Sequence, residues 1–378
     1  MTKYNYECCA TIIMKNPTIL TFFAVLIISV MLTPMHKVAY GDGLFMEHLS
    51  ASFGDRNANL LIKMSPPVVT TEAIREQAQR PEIQFRMYEN QSDQNFKEVT
   101  YYITINKDDK TLLSDWFYNP NGNLTIQMQP RNQNLISIYG DLDPIMNAYT
   151  TRGDSPVVAA GPIFLEGGLY HFVVRIVTVD FSRTILPDDQ QPVFEGWLSV
   201  GATKDTTLDV NGTSVPVKII SYYDELGDIT YDTSSNSVNI TMPFTYDAER
   251  INDPDNNVFI HQEVIIPKPS PLSSTGGYSG YVNGKDVTNV LTVDGNNSTQ
   301  DVVHFLLAKP VVSQIVDEYL EKNNGSNNSN ITSTSGSNNT TTPGDLVGKM
   351  SFSLMPTQNG SAPQSGTLVC VPGLELCY

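Results

Sequence analysis

Between Cys9 and Cys370 the chain carries no cysteine. That absence excludes a blue-copper centre from this stretch, because such a site needs a thiolate beside histidine near one end of a β domain. Positive charge is scarce as well: 23 Lys and Arg stand against 40 Asp and Glu, a formal net charge of −17 over 378 residues. No cluster of Lys and Arg interrupts the acidic excess. A nucleic-acid partner is excluded with it, since phosphate binding needs a basic face that releases counterions. His48, His171, His261 and His304 fall in separate strand-like segments, with no His-x-His or His-Glu-x-x-His spacing. Lone histidines on strands read as surface or cross-strand residues, because only convergent ligands make a metal site. His261 and Glu263 do share one strand face, the arrangement of a base and its orienting carboxylate. With no nucleophile or metal motif beside them they read as an ordinary polar face. Gly277-Tyr278-Ser279-Gly280-Tyr281 fails the nucleophile-elbow pattern at its last position. Phosphate loops and dinucleotide fingerprints are missing, so no enzyme and no catalytic residue are expected.

What the chain does have begins with an export signal. Lys3 and Lys15 precede an uncharged run from Asn16 to Met35 that is almost wholly apolar between Ile19 and Leu32. Ala39-Tyr40-Gly41 then puts small residues at the two positions a signal peptidase reads. Residues 1–41 are therefore expected to be a signal peptide cleaved before Asp42, or a signal anchor if left uncut, since a run of that length can span the hydrocarbon core. Either way the rest of the chain is expected outside the cytoplasm, secreted or at the cell surface, and membrane-attached only through an uncut leader. Asn-x-Ser/Thr sequons agree with that side of the membrane. They occur at Asn90, Asn123, Asn211, Asn239, Asn296 and Asn297 in strand-and-turn territory, and at Asn324, Asn327, Asn330, Asn338, Asn339 and Asn359 beyond it. Cys370 and Cys377 enclose a Pro372-Gly373 turn. In an oxidising exterior a disulfide closing this loop is favoured over half of a metal site, which would need two more ligands.

Alternation with period 2 dominates after the leader. Ile83, Phe85 and Met87 alternate with Gln84 and Arg86, and Val99, Tyr101, Ile103 and Ile105 with Thr100, Tyr102 and Thr104, as in half-buried strands. Residues 106–110 and 119–123 read as hairpin turns. A short helix is expected over Thr71 to Gln79, ahead of Pro81. Tyr170 opens a strand carrying Phe172, Val174 and Ile176, much as in the tyrosine corner of immunoglobulin-like sandwiches. The fold class expected is all-β: an immunoglobulin-like β-sandwich over 42–200 and a second antiparallel β-sandwich over 201–322. Helical spacing of Val312, Ile315, Val316, Tyr319 and Leu320 ends the second domain in a short helix. Residues 323–346 are Asn, Ser, Thr and Gly almost throughout, a disordered linker that cannot bury a core. Residues 347–378 form a C-terminal tail with the disulfide loop, either a small module or a strand that returns to the second domain.

Four segments of the second region carry a likeness: Asn211-Gly212-Thr213-Ser214-Val215-Pro216-Val217, Gly227-Asp228-Ile229-Thr230-Tyr231-Asp232 leading to Ser237-Val238-Asn239-Ile240, Val264-Ile265-Ile266-Pro267-Lys268, and Tyr281-Val282-Asn283-Gly284. This region resembles repeated β modules of uncharacterised secreted and cell-surface proteins of ammonia-oxidising archaea. The resemblance implies a surface protein and no catalytic residues. Many such proteins end in a Pro-Glu-Phe-Gly-like sorting motif and an apolar anchor, whereas this chain ends in Cys377-Tyr378.

Acidic loops remain: Asp141 and Asp143, Asp188 and Asp189, Asp253 and Asp255, and Asp294 to Asp301. Calcium is the one cofactor they would suit, although turns prefer Asp and Asn in any case, and the expectation is no cofactor. The function expected is a binding or scaffold protein of the cell envelope, with other surface proteins or glycans as partners. The alternative is a structural accessory subunit of an extracytoplasmic enzyme complex.

Overall fold

The computed structural model describes residues 41–357 apart from 43–44, 54–55, 109, 153–154, 182, 254–256, 295–297 and 325–345. All of these belong to one compact unit, Val38–Tyr378. Nearly all of the leader, Asn296, Asn297, Asn327, Asn330, Asn338, Asn339 and Asn359, and the Cys370–Cys377 loop lie outside the described residues. Among the described residues no helix is long and apolar enough to cross a membrane.

In chain order the strands of the first half are β1 (Gly41–Asp42), β2 (Met46–Phe53), β3 (Arg56–Ser65), β4 (Glu82–Glu89), β5 (Val99–Lys107), β6 (Lys110–Asn119), β7 (Asn123–Pro130), β8 (Ser137–Tyr139), β9 (Asp141–Leu142), β10 (Tyr149–Thr150), β11 (Val157–Gly161), β12 (Gly168–Thr178) and β13 (Val193–Val200). They make two sheets, in the orders β2-β3-β4-β7-β11-β8 and β13-β12-β5-β6-β10-β9. Successive side chains of a strand point to opposite faces, so Ile83, Phe85 and Met87 of β4 and Val99, Tyr101, Ile103 and Ile105 of β5 all turn inward to one shared core. β1 stands apart and pairs with β18 of the second half.

The second half contains β14 (Ala202–Val210), β15 (Thr213–Ser221), β16 (Ile229–Asp232), β17 (Ser237–Tyr246), β18 (Asn257–Pro267), β19 (Tyr278–Val282), β20 (Lys285–Asp286), β21 (Leu291–Asp294), β22 (Gln300–Ala308) and β23 (Leu346–Pro356). Its sheets run β14-β15-β18-β22-β21 and β16-β17-β23-β19-β20, around a second core. The all-β class holds.

Local sterics explain the tight turns. Asn211 and Gly212 join β14 to β15, and Asn283 and Gly284 join β19 to β20, each pair with positive φ at both positions. That is the type I′ geometry whose twist matches a two-residue hairpin.

Several expectations change on contact with tertiary structure. The 119–123 turn does not make a hairpin, because β6 and β7 belong to opposite sheets. Asn119 instead accepts the backbone N–H groups of Asn121 and Asn123 at 2.8 and 3.1 Å, turning the chain across the core. Nor is every pair antiparallel: β7 with β11, β6 with β10 and β1 with β18 run parallel. The expected helix over 71–79 shortens to α1 (Thr71–Arg75), capped by the Thr70 hydroxyl on the Ala73 N–H. Gln77 at φ 57 ends it in the left-handed region before Pro81 is reached.

The other helices are α2 (Ala248–Asn252) and α3 (Lys309–Asn324). α3 buries Val312, Ile315 and Val316 and stacks Tyr319 on Tyr246 with ring centroids 3.6 Å apart. Of the two alternatives for the tail, the returning strand is found: residues 347–356 join Leu346, placed in the linker by sequence, as β23 between β17 and β19, while α3 takes Asn323 and Asn324 from the other end of that linker. The Tyr170 hydroxyl donates to the Glu166 carbonyl at 2.7 Å, tying the start of β12 to the chain just before it.

Candidate functional site

Two places gather polar side chains. The first is a cleft of about 770 Å³ where the two halves meet. Strands β12 and β13 pair His171 with Trp197, which places the two rings face to face at 4.5 Å. His171 Nε2 lies 3.2 Å from Glu195, and that contact holds the Glu195 carboxyl below the usual range against its partial burial. From the second half Arg250 lies 5.5 Å from the Trp197 ring and 3.8 Å from Asp247, whose side chain caps α2 by accepting the Arg250 N–H. Six carboxylates, of Asp108, Glu195, Asp224, Asp247, Glu249 and Asp253, line the cleft with a single guanidinium, Arg250. Burial, together with the neighbouring charges of Glu225 and Asp108, raises Asp224 to about 6 in spite of Lys107.

The second place is on the outer side of the β14-β15-β18-β22-β21 sheet. In β18 the even positions Ile260, Val264 and Ile266 enter the core, which turns His261 and Glu263 the other way. The register sets Glu263 opposite His304 of β22, and His261 one step diagonal to it. His261 Nε2 and His304 Nδ1 are 3.1 Å apart, and each lies 3.5 Å from Glu263 Oε1. Tyr222 stacks on the His261 ring at 4.6 Å, and its backbone N–H donates to the His261 carbonyl at 2.9 Å. Burial pushes the His261 imidazole down to about 4, so it is neutral and able to offer a lone pair near neutral pH. Burial opposes ionisation of Glu263, but hydrogen bonds from His304 and the Tyr222 hydroxyl help hold its carboxyl below the usual range.

Of the four histidines considered in sequence, the structure brings only His261 and His304 together. His48 is exposed and meets the Tyr88 hydroxyl at 3.2 Å, and His171 belongs to the cleft. The acidic loops do not converge among the described residues. Asp141 pairs with Arg152 at 3.2 Å, buried Asp143 pairs with Arg183, and Asp301 meets Lys268 at 2.6 Å. Asp255 lies outside the described residues, and Asp188 and Asp189 open an exposed single turn.

Among the sequons, Asn90, Asn123 and Asn211 are exposed. Asn239 is half-buried on β17 between β16 and β23, where its side chain accepts from Ser237 and Ser353.

Sequence reasoning weighed His304 only as a lone strand histidine, and missed Trp197, Asp224, Asp247 and Arg250 altogether. For His304 a partial signal existed, since it takes the outward parity between Val303 and Phe305. For the cleft there was none, because its residues come from segments with no common spacing. No family model, no curated protein and no solved structure matches this chain.

Proposed function

We propose that this chain is an extracytoplasmic binding and scaffold protein of the cell envelope, built of two β-sandwich domains of which the first is immunoglobulin-like. The observation that carries this reading is the cleft between the halves. Its volume lies in the range of ligand sites, and it joins a stacked aromatic pair to six carboxylates. Carboxylates only accept hydrogen bonds, so the occupant is rich in donors. With Arg250 in the lining and Lys107 beside Asp108 and Asp224 set against six acids, the cleft stays net acidic, so a basic side chain presented by a neighbouring surface protein fits better than a neutral sugar.

Supporting the sandwich reading, two sheets share each core, and the Tyr170 hydroxyl reaches backbone a few residues upstream. Supporting the location are the apolar leader with its Ala39-Tyr40-Gly41 end, the exposed sequons at Asn90, Asn123 and Asn211, and the resemblance to archaeal surface modules. The role is that of a non-enzymatic partner.

Co-purification of the full chain from native membranes, beside its Glu249→Lys variant, tests the reading. Glu249 is exposed at the cleft, so the change reverses a charge without touching a core. The expected result is one or more envelope proteins recovered with the wild type and lost with the variant. Identical recoveries from both would remove the cleft as the binding place, and retention of glycans alone would replace the protein partner.

A further inference from the structure

We infer that His261, Glu263 and His304 form a zinc site on the outer face of the second half. The distances carry the inference. In tetrahedral zinc sites nitrogen ligands lie at ~2.0–2.1 Å and carboxylate oxygens at ~2.0–2.2 Å, which spaces the donor atoms of one ion at roughly 3.3–3.5 Å from each other. His261 Nε2, His304 Nδ1 and Glu263 Oε1 form a triangle with sides of 3.1, 3.5 and 3.5 Å. A point equidistant from all three and in their plane lies about 2.0 Å from each, within reach of the zinc distances for an ion just above that plane. An octahedral ion would need its adjacent donors nearer ~3.0 Å, so two of the three sides favour the tetrahedral ion.

The ligand types agree, since two imidazole nitrogens and one carboxylate oxygen suit zinc, whereas calcium takes an all-oxygen shell. The donors are also held in place. His261 is clamped by the Tyr222 ring, and Glu263 and His304 face each other across a continuous strand pair. The site is reachable from one side: the side chain of His261 is 5% exposed, while those of Glu263 and His304 are 16% and 17% exposed. That leaves the fourth position to water or to a donor from a partner. The ion would fasten β18 to β22 by a bond that the sheet ladder does not supply. This site is separate from the cleft, so failure at one leaves the other standing.

Zinc chloride added to the chelator-treated full chain is the direct probe, with His304→Gln as the comparison because that side chain is only partly buried. The wild type is expected to take up one zinc per chain that the variant does not. Removal of a partner outside the coordination sphere already costs roughly 10–100-fold in affinity, so loss of a ligand should weaken binding by at least that factor. Zinc should raise the Tm of the wild type by mass action and leave that of the variant unmoved.

Cobalt(II) in place of zinc gives a reading independent of folding, since a tetrahedral cobalt centre absorbs visible light far more strongly than an octahedral one. Strong bands in the wild type that vanish in His304→Gln support the site. Equal zinc uptake by both chains, weak octahedral bands, or no uptake by the wild type would overturn it and leave the three side chains as a hydrogen-bonded cluster.

Discussion

Lys107 at the end of β5 lies 4.0 Å from Asp224 of the second half, with its side chain only 6% exposed. The ammonium also meets Glu225 at 3.4 Å and Asp108 at 3.3 Å. Burial works against its charge, but these three carboxylates raise its pKa. One buried cation thus joins the two halves beside the cleft.

The same setting disfavours the charged form of Asp224. Its folded pKa is raised to about 6, so the folded protein holds this proton more tightly than the unfolded chain does. The associated stability is full below the ordinary aspartate pKa and is lost as pH rises through about 6, by roughly 3 kcal/mol in all. In Asp224→Asn this loss should be missing. Urea unfolding of both proteins from about pH 4 to 7 should give a difference between them that grows in favour of the variant; a constant difference would mean that Asp224 titrates normally.

Gly168 permits the same contact. It sits at φ +118, and a Cβ there would come within 2.5 Å of Asp224 Oδ1 and 2.9 Å of Lys107 Nζ. Gly168→Ala should cost on the order of 1–3 kcal/mol, from backbone strain and displacement of the ion pair. A thermal melt within error of the wild type would show that the β12 start adapts freely.

β23 is integral to the second core. Phe352 is fully buried and meets Phe305 edge to face at 5.5 Å. Phe352→Ala should lose about 3–5 kcal/mol. A loss below about 1 kcal/mol would mean that the strand is only laid on the surface.

The Cys370–Cys377 pairing is checked by peptide mapping without reduction. One C-terminal peptide lighter by two hydrogens than its reduced form is expected. Recovery of two alkylated thiols would rule the bridge out.

Calcium and sodium chloride at matched ionic strength should shift the Tm equally. The buried Asp143 and Asp301 already have cationic partners, and the described acidic loops do not converge. A rise specific to calcium would show that carboxylates outside the described residues complete a site.

Alternation, turn residues and the period of α3 are properties of a few neighbouring residues, and those features could be read directly. Asn211-Gly212 and Asn283-Gly284 demand positive φ wherever they occur between strands, so both hairpins follow from two residues each. The turn at 119–123 has similar composition but a different outcome. Whether it closes a hairpin or crosses the core depends on which strands bid for β7, and β4 and β11 take it.

The sequence by itself determined an all-β chain, the inward parity of its strands and the acidic balance of its surface, because each depends on side-chain chemistry repeated every second residue. Only the tertiary structure decided that Glu263 stands opposite His304, that Lys107 reaches Asp224, and that residues 346–356 return as a central strand. Register between distant strands is set by how two whole faces fill a common core. No spacing within one segment encodes that fit.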